Sequence, residues 1–274
     1  MKRLTIDITG TLDAGLIEMY RHVITEAHKL NIQCFVVGAM ARDLVLHHGF
    51  GAPIDRATRD IDFGIQVEDW ASFYKLKDAL IKVGFVAVDK VPHRMHFIGR
   101  DNTEWMLDVL PFGNLTDENQ DLSLTPDGAA RLSMLGFAEA GSNAWPVIVD
   151  GGCTVPVASP WGMVMLKLVS WGDRAVSIRE KDAKDIAYII RQIQEIPGFL
   201  DELYKGGYAQ ACDYDNDEAT ALLLGKLIAT MATLQTLTFI AERTLTSPNL
   251  EKFIRDMGVR NAEAWAARLC ENLL

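Results

Sequence analysis

Much of what marks an extracellular, membrane or DNA-coating protein is missing from this chain. Its four cysteines, Cys34, Cys153, Cys212 and Cys270, lie far apart and form no Cys-x-x-Cys pair. That argues against structural zinc and against a disulfide framework; buried thiols in a reducing, cytoplasmic compartment are expected. No apolar run approaches the roughly 20 residues that span a bilayer, and no membrane partner is expected. The N-terminus does not read as a secretory signal, because Met1-Lys2-Arg3-Leu4 leads to Asp7 and Asp13 rather than to a hydrophobic segment. Dense Lys/Arg runs are also absent, and the formal net charge is −10. Proteins that grip nucleic acid along its length carry a basic surface. The acidic balance therefore argues against non-specific DNA binding as the main task, and no sequence-specific DNA binding is expected. A local basic patch around a polyanion site remains compatible with it. There are no internal repeats, no Walker A motif and no Ser-His-Asp arrangement.

What is present is a globular composition, 49% hydrophobic and 23% charged over 274 residues, enough for one large or two ordinary domains. Residues 34–62 organise the rest. Cys34-Phe-Val-Val37 has the length and β-branched content of a strand. It stops at Gly38, and Ala41, Leu44 and Val45 follow at helical spacing. Gly38 thus falls at a strand-to-helix turn, where a missing side chain lets a ligand approach backbone amides that favour phosphate. After a loop, Arg59 to Ile65 reads as a second strand. Asp60 and Asp62 are two apart on it, so both carboxylates leave one face, roughly 7 Å apart. Such a pair repels itself unless a cation joins it, and Mg²⁺ takes carboxylate oxygens and substrate phosphates together. A metal beside a nucleotide is the expectation; a solvated strand face is the bland alternative.

Elsewhere, periodicity predicts amphipathic helices over 13–30, capped by Thr11 or Asp13, and over 68–83, closed by Gly84. Strands are expected at 85–88, 94–98 and 104–110, the last two joined by a turn at Arg100–Thr103. A helix is expected near 127–140. Gly151-Gly152 joins strands 147–150 and 153–157 in a hairpin. Ser159-Pro160 opens a helix in the favoured cap-then-proline order. Helical patterns then cover 159–173, 180–194, 217–234, 236–245, 249–257 and 261–273. The switch near 158 divides the chain into an α+β domain, 1–157, and an all-helical domain, 158–274.

Asp108 interrupts an apolar strand, Glu104-Trp-Met-Leu-Asp108-Val-Leu110. An isolated acid of this kind often lies on the solvent face, but here a neighbouring strand offers two carboxylates that want a third ligand. Gly38, Asp60-x-Asp62 and Asp108 in this order resemble the nucleotidyltransferase superfamily that includes DNA polymerase β. Arg56-x-Thr58-Arg59-Asp60-Ile-Asp62 is similar to the AbiEii-type toxin branch. So is the run from Lys167 through Arg174 to Lys181-Asp182-x-x-Asp185-Ile186. Gly38-x-x-x-Arg42-Asp43 is similar to tRNA CCA-adding enzymes. The resemblance covers about residues 30–190.

It implies a polymerase β-like mixed sheet with flanking helices, followed by the helical region. It also implies Mg²⁺-dependent transfer of a nucleotide from an NTP to an acceptor hydroxyl on a tRNA 3′ end, a protein or a small molecule. Asp60, Asp62 and Asp108 would hold the metal, with Asp108 nearest the acceptor. Gly38, Ala39, Arg42, Thr58, Arg59, Lys167 and Asp182 would bind the nucleotide, and Asp185 would be catalytic. The toxin branch implies a partner antitoxin. The family usually carries Ser or Gly after the first glycine; Ala39 offers only its backbone, and a lost hydrogen bond to a charged group is worth about 1.5–3 kcal/mol. An inactive nucleotide-binding or interaction module, and a metal-dependent hydrolase, are the rival readings.

Each helical candidate has a plainer alternative. Lys167 could lay its stem along apolar surface with its head in water. Asp182 and Asp185, interleaved with Lys181 and Lys184, could form an exposed ion-paired face. His93-x-x-His96 in a strand places its rings on opposite faces, which disfavours a metal pair. Asp213-Tyr-Asp215-Asn-Asp217 lacks the glycine and closing glutamate of a calcium loop, so helix capping explains it better.

Overall fold

The computed structural model describes residues 2–54, 58–89, 91–123 and 131–273. The chain runs β1 (Ile6–Asp7), α1 (Ala14–Lys29), β2 (Gln33–Val37), α2 (Gly38–Arg42), then a π-helical segment over Asp43–His48. Next come β3 (Asp60–Val67), α3 (Trp70–Lys82), β4 (Val86–Ala87), β5 (Arg94–Ile98), β6 (Glu104–Gly113), β7 (Asp121–Ser123) and β8 (Arg131–Ser133). α4 (Phe137–Ser142), β9 (Trp145–Asp150) and β10 (Cys153–Val157) complete the mixed part. The remainder is helical: α5 (Pro160–Asp173), α6 (Val176–Gln192), α7 (Phe199–Lys205), α8 (Tyr208–Ala211), α9 (Asn216–Met231), α10 (Leu234–Arg243), α11 (Asn249–Met257) and α12 (Ala262–Leu273).

Among the described residues one mixed sheet has the order β1-β9-β10-β2-β3-β6-β5-β4, and β7 and β8 form a separate ribbon. β3 and β6 are parallel, flanked by antiparallel β2 and β5. Alternation along β3 sends Ile61, Phe63 and Ile65 to one face, where Tyr20 of α1 meets Phe63 edge-on. The other face carries Asp60, Asp62 and Gly64. Buried apolar side chains from both the sheet region and the helices after residue 158 belong to one continuous core.

Local chemistry sets most boundaries. Ser159 accepts a hydrogen bond from the Gly162 amide at 3.3 Å, and Pro160 occupies the first turn of α5. Asp215 caps α9 by accepting from the Asp217 and Glu218 amides, both at 3.0 Å, so helix capping explains Asp215 as expected, while Asp217 accepts from Gln194 at 2.7 Å. The helix expected near 127–140 is corrected. Residues 127–130 lie outside the described set, 131–133 are strand, and the helix begins only at Phe137, after Gly136 adopts φ +83°. All four cysteines are free, with Cys153 and Cys212 buried and Cys34 and Cys270 partly so. No described helix is long and apolar enough to cross a membrane.

Candidate active site

Strand register assembles the site. Val37 of β2 pairs with Asp62 of β3, Asp62 with Asp108 of β6, and Asp108 with Arg94 of β5. Residues paired across strands point to the same face, so these four side chains form one row across the sheet. Asp60, two residues earlier on β3, shares that face; it is exposed and pairs with Met106. Asp108 is 7% exposed, which excludes the solvent-face alternative.

Electrostatics distinguish the three carboxylates. The Asp62 carboxyl is pushed up to about 6, first by burial and then by Asp108, with Lys167 and Arg174 offsetting this only in part. Asp108 is neutralised by Arg94 in a bidentate pair: Nε donates to Oδ1 at 2.7 Å and a terminal nitrogen donates to Oδ2 at 2.6 Å. As they stand, no three acidic, His or Cys side chains among the described residues are arranged to hold a metal ion. The donor set nonetheless suits a hard cation, being oxygen-only, and a cation there would relieve the burial and the Asp108 repulsion that push the Asp62 carboxyl up. Both oxygens of Asp108 are taken by Arg94, whereas Asp60 and Asp62 form no ion pair among the described residues.

Gly38 sits at φ +73°, and a Cβ built on it would overlap Oδ2 of Asp62. The glycine is therefore required twice: by its left-handed backbone and by the carboxylate packed against it. Sequence reasoning expected this space to admit a ligand, whereas here it receives Asp62. A pocket opens beside the pair, lined by Gly38, Asp62, Lys167, Ser170, Arg174 and Asp182.

A charge-balanced ionic network lines the far side, with Lys167 from α5, Arg174 just after it, and Asp182 and Asp185 from α6. Lys167 Nζ lies 2.9 Å from Asp182 Oδ1 and 2.6 Å from Asp185 Oδ2, and Arg174 lies 2.7 Å from Asp182 Oδ2. Arg42 reaches Asp185 Oδ1 at 2.6 Å and Asp43 Oδ1 at 2.8 Å. Asp182 and Asp185 are 0% and 1% exposed, which overturns the exposed-face alternative. Only Lys181 and Lys184 of that segment lie at the surface. The Lys167 ammonium is held by two carboxylates rather than by water. Burial makes this network obligatory: removing one member strands a charge away from solvent.

Arg42 does not line the pocket. Its guanidinium is enclosed by Asp43, Asp185 and the Tyr188 ring, 4.9 Å away, and the Tyr188 hydroxyl donates to the Pro53 carbonyl at 2.7 Å. Arg42 thus ties α2 to α6, and Tyr188 ties α6 to the loop that precedes β3. Ala39 lies in the first turn of α2. Thr58 Oγ1 accepts from the Asp60 amide at 3.2 Å and shapes the entry to β3. Arg59 is exposed, its carbonyl accepting from the Met106 amide at 3.2 Å. Arg56 lies outside the described residues. His96 pairs with Glu104 at the surface, away from this row.

Sequence reasoning missed Arg94. The signal was present: with Arg100–Thr103 as the turn, Ile98 pairs with Glu104, and the same register places Arg94 opposite Asp108. It also gave Arg174, Ser170 and Tyr188 no role, since their placement depends on how α5 and α6 pack.

The frame of the site is a mixed sheet with acids on two adjacent parallel strands, a glycine turn beside them and a buried ionic network on the helices that follow. A family model described as "Nucleotidyl transferase AbiEii toxin, Type IV TA system" matches residues 24–268, and the chain belongs to that family. Comparison with curated proteins finds no match. Among solved structures, the chain is similar to an antigenic nucleotidyltransferase-like protein from Paracoccidioides brasiliensis. The identity is 18%, covering 65% of this chain and 76% of that one, with a TM-score of 0.41. It is also similar to the lincosamide antibiotic adenylyltransferase LnuA, at 15% identity over 65% and 96% of the two chains, TM-score 0.38. The Thermotoga maritima CCA-adding enzyme complexed with tRNA is similar at 11% identity, over 96% and 72%, TM-score 0.28. Membership rests on the family match, not on these distant likenesses.

Proposed function

We propose that the protein transfers a nucleoside monophosphate from an NTP to an acceptor hydroxyl in a Mg²⁺-dependent reaction, in the cytoplasm, as the toxin of a toxin–antitoxin pair. The observation that carries this is the pairing of Asp62 with Asp108 on parallel strands, with Asp60 on the same face, beside a pocket that Lys167 and Arg174 line. A divalent cation bound there supplies Lewis-acid polarisation of the transferring phosphate and eases deprotonation of the acceptor hydroxyl.

The protein's own groups do the rest. Asp60 and Asp62 would hold the cation, joined by Asp108, which the family resemblance puts nearest the acceptor. Gly38 leaves room for Asp62 and fixes the turn into α2. Lys167 and Arg174 line the pocket that would take the triphosphate, Arg174 as a planar fork and Lys167 as a point charge, each already paired with Asp182. Asp182 and Asp185 orient Lys167, and Arg42 orients Asp185. Ala39 contributes its backbone alone. The acceptor is a tRNA 3′ end, a protein side chain or a small molecule.

The test is transfer of label from each of four α-³²P NTPs, with Mg²⁺, into total RNA, total protein and the small-molecule fraction. Label in one fraction, lost in Asp60→Ala/Asp62→Ala, supports the reading and names the acceptor class. Free NMP without labelled acceptor would point to hydrolysis instead. Nucleotide binding with no turnover in any fraction would contradict the reading.

A further inference from the structure

Three acids gather on one face of the sheet, and among the described residues Arg94 of β5 is inserted beside them. Arg94 enters from β5, and both oxygens of Asp108 are taken by it at 2.6–2.7 Å. Its charge is also favoured at longer range by Asp60 and Asp62. It therefore neutralises Asp108, one of the carboxylates a divalent cation would use, with a monovalent charge. The partners differ in freedom. The Asp108 side chain is 10% exposed and fixed on a central strand, whereas that of Arg94 is 33% exposed and long. Any separation of the pair must be a movement of Arg94.

Resting on the nucleotidyltransferase reading above, we propose that Arg94 is a positioning residue that occupies Asp108 in the nucleotide-free protein and must leave it before Asp108 takes part in holding a divalent cation. A guanidinium withdrawn from a bidentate carboxylate needs a replacement anion. The triphosphate of an incoming nucleotide is the anion that this site receives. Cation and nucleotide then bind together, and the nucleotide-free site holds a cation weakly. A protein with this order of assembly does not collect free Mg²⁺ before its substrate arrives.

The experiment titrates Mn²⁺ into the full-length protein, following free Mn²⁺ by electron paramagnetic resonance, with and without non-hydrolysable NTP analogues. Wild type is compared with Arg94→Met, Arg94→Lys, Asp108→Asn and the Arg94→Met/Asp108→Asn pair. Without nucleotide, Arg94→Met is expected to bind Mn²⁺ about tenfold more tightly than wild type. Arg94→Lys, which can offer only a single point charge, should fall between them. The gain should vanish in the double variant, because it is exerted through Asp108. Unchanged or weaker Mn²⁺ binding in both Arg94 variants overturns the proposal. Should Arg94→Met fail to fold, Arg94→Lys decides the matter in the same way. Failure of the underlying reading looks different: with nucleotide present, wild type would bind no more Mn²⁺ than Asp60→Ala/Asp62→Ala.

Discussion

Gly38 and Asp62 interlock: the hydrogen that serves as the glycine's side chain is the only substituent that leaves room for the carboxylate beside it. The strand-to-helix turn and the acidic strand are therefore one unit, although 24 positions separate them in the sequence. Gly38→Ala should cost about 1–3 kcal/mol of stability, from a non-glycine residue at φ +73° and from the displaced Asp62. It should also lower transfer by about 100-fold through misplacement of the carboxylate. A double-mutant cycle in chemical denaturation checks the mechanism: part of the stability loss should disappear in an Asp62→Gly background, leaving only the backbone strain.

Asp62 should also make stability depend on pH in an unusual direction. Its folded-state pKa, raised to about 6 by burial and by Asp108, lies above the ordinary value of 3.8. Between these values the folded protein holds the proton more readily than the unfolded chain, so stability falls as pH rises through this window. The effect is at most about 3 kcal/mol. Melting curves across pH 4–8 should show this fall in wild type and a flatter profile in Asp62→Asn, which should be the more stable protein at pH 7.5. Cation affinity should move oppositely, weakening as pH drops through about 6, because the protonated carboxyl is a poor ligand. Titrating Mn²⁺ with nucleotide at pH 5.5 and 7.5 measures this.

The buried ionic network predicts a separation of stability from activity. Asp185→Ala takes one of two carboxylates from Arg42 and from Lys167, and Asp182→Ala takes one from Lys167 and the one paired with Arg174, so each leaves the network one negative charge short. Each should lose about 1–3 kcal/mol in urea denaturation, less than for a buried charge left with no partner at all. Asp185→Asn retains the shape without the charge and should lose less. Asp60, at the surface, should behave in the opposite way: Asp60→Ala should remain within about 0.5 kcal/mol of wild type.

A third contrast concerns Arg42. If it acts by holding Asp185 rather than by touching nucleotide, Arg42→Lys should lower stability and kcat together while leaving the KM for NTP near wild type. Steady-state kinetics over an NTP series provides the check.

How far the sequence carried this picture differs from element to element. Strands at 94–98 and 104–110 and the Gly-Gly hairpin were legible, because turn chemistry and period-2 patterning are local. Asp60-x-Asp62 was legible for the same reason, since its spacing alone puts two acids on one face. Arg94 was within reach once the hairpin register was counted, yet arginine in a strand carries no signal of its own. The burial of Asp182 and Asp185 was not legible. Their spacing, with Lys181 and Lys184 between them, is what a solvated helix face also shows. Only the packing of α6 against α5 and α2 turns those two acids inward onto Lys167, Arg174 and Arg42. The helix expected near 127–140 failed because apolar residues at helical spacing there belong to a strand, a glycine turn and a shorter helix.

The central claim is that the row of carboxylates on β3 and β6 performs the chemistry, and Asp60 tests it most directly because its removal leaves the fold intact. Pyrophosphate release from NTP should be measured for wild type and Asp60→Ala, with Mg²⁺ and the acceptor fraction identified by labelling, alongside melting curves. Steady release is expected from wild type, with a loss of about 100-fold or more in Asp60→Ala at unchanged melting temperature. Release by Asp60→Ala at the wild-type rate would contradict it.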